Sequence, residues 1–244
     1  MVSEASLMRV YCLTSDKYIQ AIRPYAWLFR KYWSETQPVT VVGFTPPDFD
    51  LPSNFDFLSL GDFADYPINR WSDALLKLLH IIPDEPFVLM FEDYWPTRPV
   101  YVEAVRMLYD YCRQFQYVAR MDLTADRQFA AGAALYNQCG HLDLLWSDPE
   151  SQYHMSLMTG IWNPRHLKRA LIPGETPWQV ELDGTPRLRA MKDEMIVLGT
   201  KVCPIKHTLA FRGGDSQKLL LDELSPGDVA ALTELGYLAP WGIG

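Results

Sequence analysis

Over residues 7–116 short apolar runs alternate with longer amphipathic stretches, a rhythm that few folds accommodate. The run "LMRVYCLT" (7–14) has strand composition and leads into "SDKYIQAIRPYAWLFRKYW". There Tyr18, Ile22, Tyr25, Leu28, Phe29 and Tyr32 recur at three- and four-residue steps, behind Ser15 or Asp16 as a cap. "PVTVVGF" (38–44) and "FDFLSLG" (55–61) read as further strands, parted by the breaker-rich "TPPDFDLPSN". "RWSDALLKLLHII" sets Trp71, Leu75, Leu78, Leu79 and Ile82 on one helical face, with Pro83 as its stop. "FVLMFEDYW" (87–95) supplies a fourth strand, and Pro99 begins the helix of "VYVEAVRMLYDYCRQF". Strands alternating with helices of this length favour right-handed crossovers and a mostly parallel sheet.

After residue 116 the rhythm changes. "YVARMDL", "GAALYN", "HLDLLW" and "YHMSLMTGIW" are short strand-like pieces with little helix between them, which predicts mixed or antiparallel sheet. "SPGDVAALTELGYL" predicts a late helix with Ser225 as cap, Pro226 in the first turn and Gly236 as stop. No internal repeat or compositional break marks a linker. The expectation is one α/β domain over 1–212, with β-α units in 1–116 and mixed strands in 117–212, followed by a helical appendage over 213–244.

Charge and cysteine usage narrow the class. With 30 acidic against 22 basic residues the formal charge is -8, the wrong sign for affinity built on neutralising a phosphate backbone, although a local basic groove remains compatible with it. Cys12, Cys112, Cys139 and Cys203 are widely spaced and lie mostly in apolar runs, so they read as reduced core thiols. No signal peptide is discernible and no apolar run approaches the ~18 residues of a membrane span, so a cytosolic protein is expected.

The exit of the fourth strand carries the chemistry. Phe87 to Phe91 run straight into Glu92 and Asp93, then Tyr94 and Trp95. In parallel sheets ligands gather outside the carboxyl ends of the strands, which is where this pair belongs. Adjacent carboxylates repel each other and favour a nearby cation. A hard divalent ion, Mg²⁺ or Mn²⁺, suits them when substrate phosphates complete its shell. Consecutive strand side chains point to opposite faces, so one of the pair would touch the ion while the other acts through water or binds sugar hydroxyls. The plain alternative is an acidic turn after a buried strand.

A strand of the form "FVLMFED" behind an opening "VYCLTSDKY" resembles the acidic metal motif of GT-A type glycosyltransferases, the nucleotide-sugar-dependent enzymes. That motif is usually written DxD or EDD; here it stands as Glu92-Asp93-Tyr94, one acid short. Further on, "MSLMTGIWNPRHLKRALIPGETPWQVELDGT" (155–185) resembles the acceptor half of such enzymes, where a Gly-containing strand leads into a short helix, then an aromatic residue and a carboxylate base. The matching residues are Gly160, Trp162, Trp178 and Glu181, with Asp183 as a substitute for the last. The ordered set, over residues 8 to 210, also resembles glycosyltransferase-like proteins of surface-polysaccharide loci and bacteriophage genomes. The resemblance implies a GT-A-like fold with its nucleotide-binding half in 1–116 and its acceptor half in 117–212. It further implies a nucleoside diphosphate sugar as donor, Mg²⁺ or Mn²⁺, and a hydroxyl acceptor that is either a glycan or a hydroxymethylated base of phage DNA.

Roles follow from position. Thr14, Ser15 and Asp16 can hold the base or ribose, or simply cap the next helix. Arg70, Trp71 and Asp73 crowd a helix start whose amides attract anions, though Asp73 there is also what the helix dipole favours. Glu92 and Asp93 would hold the metal, with His207, at the end of a late strand in "CPIKHTLAFRGG", as a further ligand and Lys206 and Arg212 as nearby cations. His154 would face the donor sugar or acceptor; for both histidines a structural role is the alternative. Glu181 would take the acceptor proton while Trp178 stacks on a sugar or base, in a segment too broken by Pro and Gly for a simple solvated helix. Asp122, Asp126 and Arg127 can bind donor hydroxyls or form a salt-linked turn. Arg165, Lys168 and Arg169 are candidates for a DNA-facing surface, or an ordinary helix exterior. Two other functions fit: a sugar-nucleotide-binding module without catalysis, and a nucleotidyltransferase, which would want a Gly-rich or basic phosphate loop that "LTSDKYIQ" does not offer.

Overall fold

The computed structural model describes residues 8–211 and 218–243. Buried apolar runs form the first strands: β1 (Val10–Leu13), β2 (Val39–Gly43) and β3 (Phe55–Ser59). Helix α1 (Ile22–Tyr32) joins the first two and buries Ile22, Tyr25, Leu28 and Phe29 against the sheet. Helix α2 (Trp71–Ile81) buries Leu75, Leu78 and Leu79 and leads into β4 (Phe87–Phe91). The short β5 (Tyr94–Pro96) and helix α3 (Val102–Gln114) then lead to β6 (Val118–Asp122).

The second half supplies α4 (Asp126–Phe129), the hairpin of β7 (Ala134–Cys139) and β8 (Leu142–Trp146), β9 (Gly160–Trp162), and α5 (Pro164–Ala170). Helix α6 (Pro177–Ala190), β10 (Ile196–Thr200), β11 (His207–Leu209) and α7 (Pro226–Glu234) complete the order.

One sheet runs β3-β2-β1-β4-β9-β6-β10-β8-β7, and β11 pairs with β5 in a separate ribbon. The pairs among β1, β2, β3 and β4 are parallel, as the first-half rhythm predicts. β9 is antiparallel to both β4 and β6, β10 is parallel to β6, and the β8 and β7 pairings are antiparallel. The mixed second half is therefore as expected. Because the chain winds one way from β1 to β3 and the other way from β1 to β4, the switch point lies between β1 and β4.

Four local expectations are corrected. The stretch 177–190 is a regular helix despite Gly184 and Pro186. Thr176 closes a capping box with Gln179 and Pro177 sits in the first turn, so the helix is nucleated before its weak residues. Gly184 is also where the helix meets Met155, since a Cβ there would stand 2.8 Å from Met155 Cγ. In "YHMSLMTGIW" only the last three residues pair as a strand. Neither Ser15 nor Asp16 caps α1; the Asp16 carboxylate accepts from Thr45 N (2.9 Å) and Thr45 Oγ1 (2.8 Å), tying the β1 exit to the β2 exit. His207 opens its strand instead of ending one.

Cys12 and Cys112 are buried, Cys139 and Cys203 half-buried, and all four are free thiols. Among the described residues no helix is long and apolar enough to cross a membrane.

Candidate functional site

The switch point brings the β1 and β4 exits side by side. Leu13 pairs with Phe91, and Glu92 N donates to Leu13 O at 3.1 Å. Thr14 follows on one strand and Glu92-Asp93 on the other, so the predicted base-binding and acidic residues share one edge. Thr14 is buried, its N–H donating to Val42 O (2.9 Å).

Glu92 is buried and Asp93 half-buried. Burial, together with the Asp93 charge, holds the Glu92 carboxyl well above the usual range. Burial pushes Asp93 up to about 6. Among the described residues neither forms an ion pair with Lys, Arg or His. The turn is held by its backbone: Trp95 Nε1 donates to Glu92 O (2.8 Å) and Ala210 N to Asp93 O (2.8 Å). The arrangement keeps two carboxylates together without a counter-charge, which is costly unless a cation is supplied from outside.

Tyr94 joins the acidic turn to the acceptor-side residues. Burial raises its phenol well above the usual range, and Asp93, Glu181 and Glu92 oppose its ionisation further. Its ring stacks on His207 at 4.6 Å between centroids and 15° between planes. Both His207 ring nitrogens are buried without a hydrogen-bond partner, and burial pushes that imidazole down to about 4. No group of three His, Cys, Asp or Glu side chains among the described residues is arranged to hold a metal ion. His207 therefore does not join Glu92 and Asp93 in a ready-made cage. The donor set fits a hard divalent ion only in the form in which one or two carboxylates hold it and substrate oxygens fill the rest.

Glu181, half-buried on α6, is linked to Tyr94 through Leu157, whose carbonyl oxygen lies 3.5 Å from the Tyr94 hydroxyl. Its Oε1 accepts from Leu157 N at 2.7 Å. Burial raises its carboxyl while that bond and Arg120 pull it back. Trp178, on the first turn of the same helix, is 55% exposed, and Leu182 is exposed beside it. Asp183, the substitute for Glu181, is exposed.

Beneath Glu181 lies a cluster that the sequence reading only half finds. Asp122, at the end of β6, is fully buried between Arg120 Nη1 (3.5 Å) and Arg127 Nε (3.3 Å). Its other oxygen accepts from Thr124 N (2.8 Å) and Thr124 Oγ1 (2.7 Å). Asp122 and Arg127 thus form the salt-linked turn, and Arg120, which the sequence reading passes over, is its third member. Asp126 is half-buried and its carboxyl is raised, by burial first and then by Asp122.

Other predicted residues, Trp71 excepted, are engaged elsewhere in the fold. His154 is buried beside a second, smaller cavity, its Nδ1 lies 3.2 Å from Ser147 Oγ, and burial together with Arg127 pushes it down to about 4. The start of α2 is covered by the chain itself, since Ser72 N donates to Glu175 O (3.0 Å) and Gly174 N donates to Asp73 (2.7 Å). Asp73 also holds the exposed Arg70 at 3.0 Å, so this pair closes a loop. Trp71 stacks on Phe91 at 6.0 Å and extends the aromatic wall toward Tyr94. Lys206 pairs with Glu223 (2.7 Å), and Arg212 lies outside the described residues. Arg165 and Arg169 form exposed surface pairs with Asp84 (2.6 Å) and Glu194 (2.8 Å), as expected of an ordinary helix exterior.

No family model matches the chain, and no curated protein matches it. Among solved structures it is similar to a UTP-bound UGPase from Acinetobacter baumannii, at 9% identity and a TM-score of 0.47, over 96% of this chain and 94% of that one. It is also similar to a CMP:2-keto-3-deoxy-manno-octonic acid synthetase complexed with CTP, at 12% identity and a TM-score of 0.43, over 83% of this chain and 92% of that one. A UDP-glucose pyrophosphorylase complexed with UDP-glucose aligns at 9% identity and a TM-score of 0.44, over 83% and 92%.

Proposed function

We propose that the chain transfers a sugar from a nucleoside diphosphate sugar to a hydroxyl acceptor, at the carboxyl edge of the sheet between β1 and β4. The observation that carries this reading is the pair Glu92 and Asp93: two carboxyls raised by burial, at the switch point, with no cationic partner among the described residues. Such a pair is complete when a divalent ion and a diphosphate arrive together. Asp93, the less buried of the two, holds the ion, and Glu92 acts behind it. Bound Mg²⁺ or Mn²⁺ offsets the charge that grows on the leaving diphosphate.

The remaining residues divide the work. The β1 exit, with Thr14 and the Asp16–Thr45 bridge, receives the nucleoside. Trp71, Phe91 and Tyr94 form the aromatic wall for the sugar. Glu181 takes the proton of the acceptor hydroxyl as its oxygen bonds the anomeric carbon and the bond from that carbon to the diphosphate breaks. A carboxyl raised by burial suits this task, because a base titrating nearer neutrality accepts a proton more readily. Trp178 and Leu182 offer an exposed apolar platform on the same helix for the acceptor. With Arg165 and Arg169 on an ordinary helix exterior and a formal charge of -8, a glycan is the favoured acceptor over DNA.

Thermal stability measured with UDP, GDP, CMP and dTDP sugars, with and without Mn²⁺, tests the assignment. One donor class should raise the melting temperature in a Mn²⁺-dependent way, by mass action, and Asp93→Asn should abolish both that rise and transfer. Glu181→Gln should lower turnover by about 10²-fold while changing donor binding little. Absence of any stabilisation, or unchanged turnover in Asp93→Asn, sinks the proposal. Release of pyrophosphate from a nucleoside triphosphate and a sugar phosphate would move the chain to nucleotidyl transfer.

A further inference from the structure

A cavity of about 530 Å³ lies along the outer side of α1 and shares no residue with the cluster around β4 and β6. Arg23, Trp27, Arg30 and Lys31 line it from the helix, at three- and four-residue steps that put them on one face. The β2–β3 loop closes it with Phe49 and Asp50, and Tyr237 closes it from the C-terminal segment. In a chain of net charge -8 this helix, "IRPYAWLFRKY", carries no carboxylate of its own.

Two of the cations are underused. The Arg23 guanidinium lies 4.4 Å over the Phe49 ring and forms no ion pair among the described residues. Among the described residues Arg30 has one ion-pair partner, the exposed Glu35 at 3.7 Å, which also lines the cavity. The Nε of each is buried without a hydrogen-bond partner. Lys31, by contrast, is taken by Asp228. The two arginines stand two helical turns apart, about 10 Å, with Trp27 between them. The volume falls within the range of small-molecule sites, roughly 300–1,000 Å³.

We infer that this cavity is a second small-molecule site, for a nucleoside phosphate. The ring lies against Trp27 and Tyr237, the phosphate accepts from Arg23 or Arg30, and Asp50 accepts from the ribose hydroxyls. A planar ring suits the aromatic walls, arginine forks match phosphate oxygens, and a carboxylate in the wall is explained by a diol. The site needs no metal and is independent of the transfer chemistry proposed above.

The test uses the full chain in EDTA, titrated with AMP, GMP, CMP and UMP and followed by calorimetry and tryptophan fluorescence. At least one nucleotide should bind saturably, with equal affinity in Asp93→Asn. Arg23→Gln/Arg30→Gln keeps the side-chain stems and should weaken binding by about tenfold or more, as should omission of the phosphate from the ligand. Trp27→Phe should remove the fluorescence change. Should the glutamine variant melt early, Arg23→Lys/Arg30→Lys serves in its place, with a loss of roughly threefold or more because the planar fork is gone. No saturable binding of any of the four, or binding indifferent to these substitutions, overturns the inference. Binding lost in Asp93→Asn overturns it too, by moving the nucleotide to the β4 edge.

Discussion

Asp93 sits where its charge is useful to a ligand and harmful to the empty fold. An aspartate in the unfolded chain titrates near 3.9, whereas burial pushes this one up to about 6. Between those values the unfolded chain has released a proton that the folded chain keeps, so this group's contribution falls as pH rises through the window. Asparagine does not titrate. Asp93→Asn should therefore stabilise the metal-free protein by on the order of 2 kcal/mol near pH 7.5, and the gain should vanish toward pH 3.5. Urea denaturation at the two pH values checks it, and an equal effect at both would show that the carboxylate is not desolvated. The place of the pair at a strand exit was legible because five apolar residues lead straight into it, although an acidic turn gives the same pattern. Arg120 was not, because an arginine within "YVARMDL" reads as the solvent face of a strand until Asp122, on the same face two residues on, is seen to be buried with it. The surroundings of His154 were hidden too, because its contact with Ser147 and its closeness to Arg127 join segments apart in sequence.

Whole elements were readable where their period was clean. The strands β1 to β4 and helix α2 fall where apolar runs and three-to-four spacing put them, while α1 and α3 begin later than expected, at Ile22 instead of after Ser15 or Asp16 and at Val102 instead of Pro99. Helix α6 was misread because Gly184 and Pro186 carry more weight in a local reading than a capping box that begins at Thr176. Strand β10 offers the β-branched pair Ile196-Val197, yet the sequence reading gives it no strand. The three-residue β5 and β11 are too short to show a period at all. Element packing also sets a limit on substitution. Gly199, within β10, is where α4 comes closest, and a Cβ there would stand 2.6 Å from Arg127 Cβ and Cγ. Arg127 would have to move away from Asp122, leaving a buried carboxylate short of one partner. Gly199→Ala should cost about 2–4 kcal/mol in chemical denaturation, more than the methyl alone would predict, and a cost under about 0.5 kcal/mol would mean that the cluster is loose.

At the scale of the molecule the strand order was the hidden quantity. Local patterns give strands but not neighbours, and β9 lying between β4 and β6 depends on pairings far apart in sequence. The same holds for the C-terminal stretch, expected as an appendage over 213–244. Leu224, Leu232 and Leu238 are buried in the same core cluster as α1 and β1. Trp241 meets Trp95 edge-on, with 6.4 Å between ring centroids. Asp228 is fully buried, and although burial raises its carboxyl, bonds from Lys31, Ser225 and Tyr32 (2.6 Å) hold it low. Losing three buried leucines costs roughly 1.5–3 kcal/mol each, before Tyr32 and Lys31 lose their partner. That sum is comparable to the roughly 5–15 kcal/mol by which a domain is stable at all. A chain ending at Phe211 should therefore lose its cooperative thermal transition, while Asp228→Asn should keep the transition at a lower temperature and expose 218–243 to hydrogen exchange first. A truncated chain that melts like the full one would show that these residues rest on the domain without supporting it.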